Sequence, residues 1–149
     1  MAKPAVEPLA NNVNQAWHRD APEEPALAAK CDPYAVVVYI PLIDMTERTG
    51  VTEFLLASHR EALDCGQLDR EPPPRERLVS TAGLSAGDVV IFDIRLCHRG
   101  VLHTAPELGL GQLGVRPVLA LNFGVDEWED KEDATNWGER YLLQGPHGR

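Results

Sequence analysis

The chain has 149 residues, with 14 Lys and Arg against 23 Asp and Glu, for a formal net charge of -9. That length suits one domain around one hydrophobic core, and the acidic balance offers no basic stripe to phosphates, which argues against a nucleic-acid partner and against docking on an anionic membrane. No apolar run reaches the length of a membrane span, the start Met1-Ala2-Lys3-Pro4 lacks the apolar stretch of a secretory signal, and Cys31, Cys65 and Cys97 show no C-x-x-C spacing, so no disulfide framework is expected and the cytoplasm is the expected location.

Residues 1–11 carry two prolines and no periodicity, and read as a loose arm. Val13 to His18 alternates and reads as a short strand. Ala21 to Pro33 holds three prolines and reads as a loop with at most one helical turn. Tyr34 to Ile43 (YAVVVYIPLI) is the strongest strand, rich in β-branched and aromatic residues. It is apolar on both faces, which predicts a central place in a buried sheet, with Pro41 at a bulge or strand end. Asp44 to Gly50 is a turn, Val51 to Ala57 a strand, and His59 to Asp69 a short helix. Arg70 to Arg77 (REPPPRER) is a loop, and Leu78 to Thr81 a short strand. Gly87-Asp88 opens VVIFDIRLCHRG, read as two short strands or one bent strand ending at His98. Glu107 to Gly114 is a Gly-rich loop, and Val115 to Gly124 the last strand. Asp126 to Asp133 is acidic and solvated, with Trp137 and Tyr141 docking the tail back on the body. Short strands between turn signals, with little helix, predict an all-β sandwich or barrel. We expect one domain over residues 1–149, with its core over about 13–124 and an acidic tail over 125–149.

His18-Arg19-Asp20 is the first chemistry-bearing motif. In extended chain, residues two apart point the same way, so one imidazole and one carboxylate can grip a single ion. His98, at the end of an apolar run, is the best third ligand for a 2-His-1-carboxylate facial triad of the non-haem Fe(II) type. Alone, His-x-Asp is a weak signal, and an ion-pairing surface loop is the plain alternative. The His-Arg-Asp of protein kinases does not fit, because APEEPALAAK follows without the required asparagine and no Gly-rich nucleotide loop is present.

Four stretches in order resemble the phytanoyl-CoA dioxygenase-like Fe(II)/2-oxoglutarate oxygenases. They are QAWHRD from Gln15, VYIPLIDMTERTGVTEFLLASHR from Val38, GDVVIFDIRLCHRG from Gly87 and RPVLALNFG from Arg116. Within the second, Gly50-Val51-Thr52 stands at the family's G-x-T, and Ala57-Ser58-His59 at its G-S-H, with Ala57 in place of glycine. The resemblance implies a double-stranded β-helix, a cupin-like jelly roll with short helices and loops. It implies Fe(II) held by His18, Asp20 and His98, and 2-oxoglutarate held by Arg116, whose planar fork suits the far carboxylate. It also implies a small-molecule substrate and O2, with 2-oxoglutarate going to succinate. Should Arg116 not serve, Arg95 and Arg99 are the next cations.

Other residues keep two readings. His59 and His103 either line the pocket or are loop histidines, and His147 lies in the tail. Thr52 and Ser58 are candidate pocket residues, Trp17 and Tyr39 core or pocket wall, and Cys97 a buried small hydrophobe. Only 17 residues precede His18, fewer than the family usually has, which is expected to leave a sheet edge open to pairing, as in a homodimer. A catalytically impaired jelly roll acting as a binding module is the alternative function, and a metal-binding cupin of different chemistry a third.

Overall fold

The chain from Ala35 to Pro41 forms the central strand of the first of two sheets. The structure, a computed structural model, describes residues 14–21, 23–102 and 117–128. In chain order its strands are β1 (Ala35–Pro41), β2 (Thr52–Leu55), β3 (Leu78–Ser80), β4 (Val90–Asp93), β5 (His98–Gly100) and β6 (Val118–Gly124). One sheet runs β4-β1-β6 and the other β3-β2-β5, with antiparallel pairing throughout. Among the described residues helix amounts to one α turn, Pro25–Ala28, where Pro25 supplies a preset φ at the start, and three short 3-10 segments. This is the jelly-roll fold expected from the sequence.

The register decides what faces the interior. Val37 stands opposite Phe92 on one side and Asn122 on the other, and Tyr39 opposite Val90 and Ala120. Val37, Tyr39 and Phe92 are buried together with Phe54 of β2, Met45 and Ile94. The Tyr39 hydroxyl meets Thr52 Oγ1 at 3.0 Å, which ties the inner faces of the two sheets through one buried hydrogen bond. Thr52 is therefore satisfied within the core, and its N–H donates to Thr81 Oγ1 at 2.9 Å.

The outer face of the first sheet departs from the expectation of a fully buried sheet. Alternate β1 residues Val36, Val38 and Ile40 are only half-buried. Their neighbours Ile91, Leu119, Leu121 and Phe123 are exposed, Ile91 at 64%. Among the described residues nothing covers this apolar face.

Other departures have local causes. The extended segment from Asn14 to His18 makes one bridge, His18 to His98, and no regular strand. The side chains of Gln15 and Asn14 take its ladder positions, accepting from the N–H groups of Gly100 and Leu102 at 2.8 and 2.9 Å. The helix expected over His59 to Asp69 is two 3-10 segments, Ser58–Arg60 and Cys65–Asp69. The Asp64 side chain accepts from Gly66 N–H and starts the second one afresh. REPPPRER is a loop as expected, apart from a 3-10 turn at Arg75–Arg77.

Val90 to Gly100 is two strands, and His98 opens the second rather than ending the first. Asp93 makes the break, because its carboxylate accepts from the Arg95 N–H at 2.9 Å while its carbonyl accepts from Leu96 N–H at 2.8 Å. The chain bends there and crosses from one sheet to the other.

Cys65 and Cys97 are paired as a disulfide, against the expectation of no cross-link. Their sequence spacing carried no signal because the two halves meet only through packing, in a second buried cluster with Trp17, Leu55 and Leu68. The core also runs past Gly124. Val125 and Trp128 pack on the main cluster, and the Trp128 ring lies where a Cβ on Gly124 would collide. The remainder of the tail, with Trp137, Tyr141 and His147, lies outside the described residues.

Candidate metal centre

His18 and His98 are brought together by backbone. The two residues exchange hydrogen bonds, His18 N–H to the His98 carbonyl at 3.0 Å and His98 N–H to the His18 carbonyl at 2.9 Å. Their ring centroids stand 4.4 Å apart. Asp20 follows two residues after His18, and its N–H donates to the Ile94 carbonyl at 3.2 Å, which fixes it beside the bend. Asp20 Oδ1 lies 3.7 Å from His18 Nε2 and 3.5 Å from His98 Nε2. One ligand atom from each residue falls within 4.8 Å of the others, and no other such group of His, Cys, Asp and Glu occurs among the described residues.

The hydrogen bonds define which nitrogens are free. His18 Nδ1 lies 2.8 Å from the Ala16 carbonyl, and His98 Nδ1 2.9 Å from the Leu96 carbonyl. A carbonyl oxygen only accepts, so each Nδ1 carries the proton in the neutral ring and each Nε2 presents a lone pair. Both lone pairs belong to the side of the ring that faces Asp20. Two neutral imidazoles and one carboxylate are the donor set of a facial-triad Fe(II) site, so the residues present fit that ion.

Aromatic walls surround His98. Phe54 stacks on it with centroids 5.8 Å apart, and Phe92 meets it edge-on at 5.2 Å. Burial pushes the His98 imidazole below its usual range, while the Asp20 carboxylate pulls the other way. Burial thus favours the neutral ring, the form whose lone pair can bind an ion. Phe54 and Phe92 were not singled out from sequence; their alternation with the inner-facing positions of β2 and β4 was the available signal.

The remaining candidates separate. Ser58 is fully buried and its Oγ accepts from Cys97 N–H at 2.8 Å, so it supports the chain before His98 instead of facing a pocket. His59 is half-buried on the adjoining 3-10 segment and is no part of the triad. Trp17 and Tyr39 are buried, as expected for core. Arg116 and His103 lie outside the described residues.

Arg95 and Arg99, the alternative cations, are both committed. Arg95 is buried beneath Tyr34, bonded to Asp93 and Asp32, and 3.7 Å from Glu23. Its hydrogen bond to Asp93 raises its pKa further. Burial works to raise the Asp93 carboxyl, but hydrogen bonds from the Arg95 side chain and backbone outweigh it and leave Asp93 below its usual range. Arg99 makes a fork on Glu53 Oε2, both contacts at 2.8 Å, and lies 4.8 Å over the Trp17 ring.

A jelly roll in which β5 and the extended segment beside it bring two histidines and an aspartate to one point defines the class of protein: a β-barrel scaffold around a candidate mononuclear metal centre. Comparison places it more narrowly. Residues 3–104 match the sequence model of the phytanoyl-CoA dioxygenase (PhyH) family, and the chain belongs to that family. It is 29% identical over 106 residues to "Dioxygenase easH" of Epichloe festucae var. lolii, covering 70% of this chain and 54% of that protein. It is 32% identical over 95 residues to "Dioxygenase hkm4" of Aspergillus hancockii, covering 62% of this chain and 29% of that one. The chain thus spans about half or less of the length of these relatives. Among solved structures, AviO1 from Streptomyces viridochromogenes Tue57 shares the fold with a TM-score of 0.54 at 21% identity, over 78% of this chain and 45% of that one. EvdMO1 gives the same TM-score at 20% identity, over 76% and 24%. No described helix is long and apolar enough to cross a membrane.

Proposed function

We propose that the chain is an Fe(II)/2-oxoglutarate-dependent dioxygenase that hydroxylates a small organic substrate, with 2-oxoglutarate and O2 going to succinate and CO2. The observation that carries this reading is the convergence of His18 Nε2, His98 Nε2 and the Asp20 carboxylate, each imidazole turned by a backbone carbonyl so that its lone pair is free. In it, His18, Asp20 and His98 are the metal ligands and the catalytic set. Bound Fe(II) would supply the redox chemistry that couples decarboxylation of 2-oxoglutarate to oxidation of the substrate. Asp20 contributes the anionic ligand, the two imidazoles the neutral ones, and Phe54 and Phe92 keep water from the buried side of His98.

Arg116 takes the far carboxylate of 2-oxoglutarate in this proposal. It lies past the stretch that matches the family model, two residues before β6. The commitment of Arg95 and Arg99 to carboxylates of the chain itself supports the choice. The whole of residues 1–149 acts as one domain, with the tail after Gly124 outside the chemistry. The exposed apolar face of the first sheet supports a homodimer. No nucleic acid or membrane partner is proposed. The location is cytoplasmic, where Cys65 and Cys97 stand as thiols until an oxidant pairs them.

The test is Fe(II)-dependent conversion of 2-oxoglutarate to succinate, with His98→Ala as the control, together with 2-oxoglutarate titration of wild type against Arg116→Ala. Succinate from wild type alone, weaker 2-oxoglutarate binding in Arg116→Ala and poor binding of pyruvate are expected. The exposed apolar face also favours a second reading, a jelly-roll binding module without turnover. That reading predicts metal binding with no succinate.

A further inference from the structure

We propose that the 3-10 segment Cys65–Asp69 is a redox-operated clamp on the metal centre, closed by the Cys65–Cys97 disulfide and opened by its reduction. The inference rests on the reading of His18, Asp20 and His98 as metal ligands.

Each histidine is preceded by a residue anchored on this one segment. Trp17, before His18, donates its backbone N–H to Asp69 Oδ1 at 3.4 Å. Cys97, before His98, is joined to Cys65 with Cα atoms 6.4 Å apart, inside the ordinary span of a disulfide. Trp17, Cys97, Cys65 and Leu68 then form a single buried cluster with Leu55. In extended chain, neighbouring side chains point to opposite sides. The segment therefore grips the back of the two stretches whose fronts carry His18 and His98. Two further bonds hold the Cys97 backbone, from its N–H to Ser58 Oγ and to its carbonyl from Leu55 N–H. The link to Cys65 is the covalent one, and the one that ordinary cellular chemistry can make and break.

The chemistry balances with a peroxide as oxidant. Cys65 is 9% exposed and Cys97 fully buried, so Cys65 is the sulfur that a small peroxide reaches. The Cys65 sulfur attacks hydrogen peroxide, the O–O bond breaks, and Cys65 sulfenic acid and one water result. The Cys97 sulfur then displaces the hydroxyl from the Cys65 sulfur. The S–S bond forms and the second water leaves. Two thiols have lost two electrons, and one peroxide has become two waters. A dithiol reductant reverses the step by exchange through a mixed disulfide.

With the link open, the segment keeps its apolar contacts and the Asp69 bond to Trp17, but the stretch before His98 loses its covalent backing. Supports behind metal ligands typically act on affinity by about 10–100-fold. We expect about a 10-fold change here, because the backbone exchange between His18 and His98 persists in both states.

The test uses the full chain in two forms, oxidised with hydrogen peroxide or reduced with a phosphine, each desalted without air. Mn(II) is the probe, since it favours oxygen and nitrogen donors over thiols, and free Mn(II) is read by electron paramagnetic resonance. The oxidised form is expected to bind about 10-fold more tightly than the reduced form. Cys65→Ser is expected to bind like the reduced wild type and to ignore peroxide. A merely structural cross-link would lower the thermal stability of the reduced protein yet leave Mn(II) affinity equal in both forms. That result overturns the clamp and leaves the metal reading standing. A Cys65→Ser chain that binds as tightly as the oxidised wild type overturns it as well. Absence of Mn(II) binding in both forms removes the metal reading, and the clamp with it. The comparison of the two wild-type forms needs no variant to fold.

Discussion

His18 and His98 hold each other through their backbones, N–H to carbonyl in both directions, so the spacing of the two imidazoles is set by main chain and not by side-chain packing. The third member, Asp20, is a half-exposed side chain beside this rigid pair. Changing it should therefore disturb chemistry much more than fold. Asp20→Asn is expected to weaken Mn(II) or Fe(II) binding by more than the roughly 100-fold that outer supports command. Folding stability should stay within about 0.5 kcal/mol of wild type. Metal titration and urea unfolding of the same preparation check both halves. Retained metal affinity would show that the carboxylate is not a ligand.

The environment of His98 sets an acid limit. Burial holds its folded-state pKa below the ordinary value of 6.5. As pH falls, the unfolded chain takes up this proton before the folded one does. Folded stability from this group is thus complete above about 6.5 and is lost as pH drops from there toward the depressed folded value. In the folded protein protons compete for Nε2 only as pH nears that depressed value, and metal affinity falls there. Thermal melts of metal-free protein between pH 7 and pH 5 should show a decline that His98→Gln flattens. An equally steep decline in His98→Gln would place the acid sensitivity elsewhere.

Ala57 occupies a left-handed backbone conformation, φ 63°, at the position where the family usually has glycine. A Cβ in that region costs roughly 1–2 kcal/mol, set against roughly 0.5–1 kcal/mol of extra chain entropy for glycine. Ala57→Gly should therefore stabilise the protein by up to about 1 kcal/mol. Its side chain is exposed, so no packing is lost. A raised Tm with unchanged metal affinity is the expected result, and a lowered Tm is the contrary one.

Arg95 is a structural cation and not a co-substrate site. It is 3% exposed, and without it Asp93 would keep only the backbone N–H of residue 95 and Asp32 only the 3.8 Å contact to Arg60. Breaking such a pair from one side costs about 3–5 kcal/mol, and water access to Asp32 puts this case near 3. Arg95→Met should lose that much in urea unfolding, with part recovered on adding Asp93→Asn. In whatever fraction remains folded, 2-oxoglutarate affinity should match wild type. A selective loss of that affinity would return Arg95 to the site.

Much of the fold was legible because strand signals are local. The β-branched run from Tyr34 and its proline at the end gave β1 and its central place, and the two-residue spacing of His18 and Asp20 marked them as a pair, although their segment forms a single bridge and no regular strand. The order of the four family stretches gave the jelly roll and pointed to His98 as the third member of the cluster. Tertiary structure decided what depends on partners distant in sequence. The Asp93 turn carries His98 to the opposite sheet, where His18 waits. Arg95 and Arg99 are neutralised by Asp32, Asp93 and Glu53, and Cys65 meets Cys97 across 32 residues. Periodicity records which face of an element is apolar, whereas the partner it meets is settled by packing the two sheets, and only that packing distinguishes a free charge from a spent one.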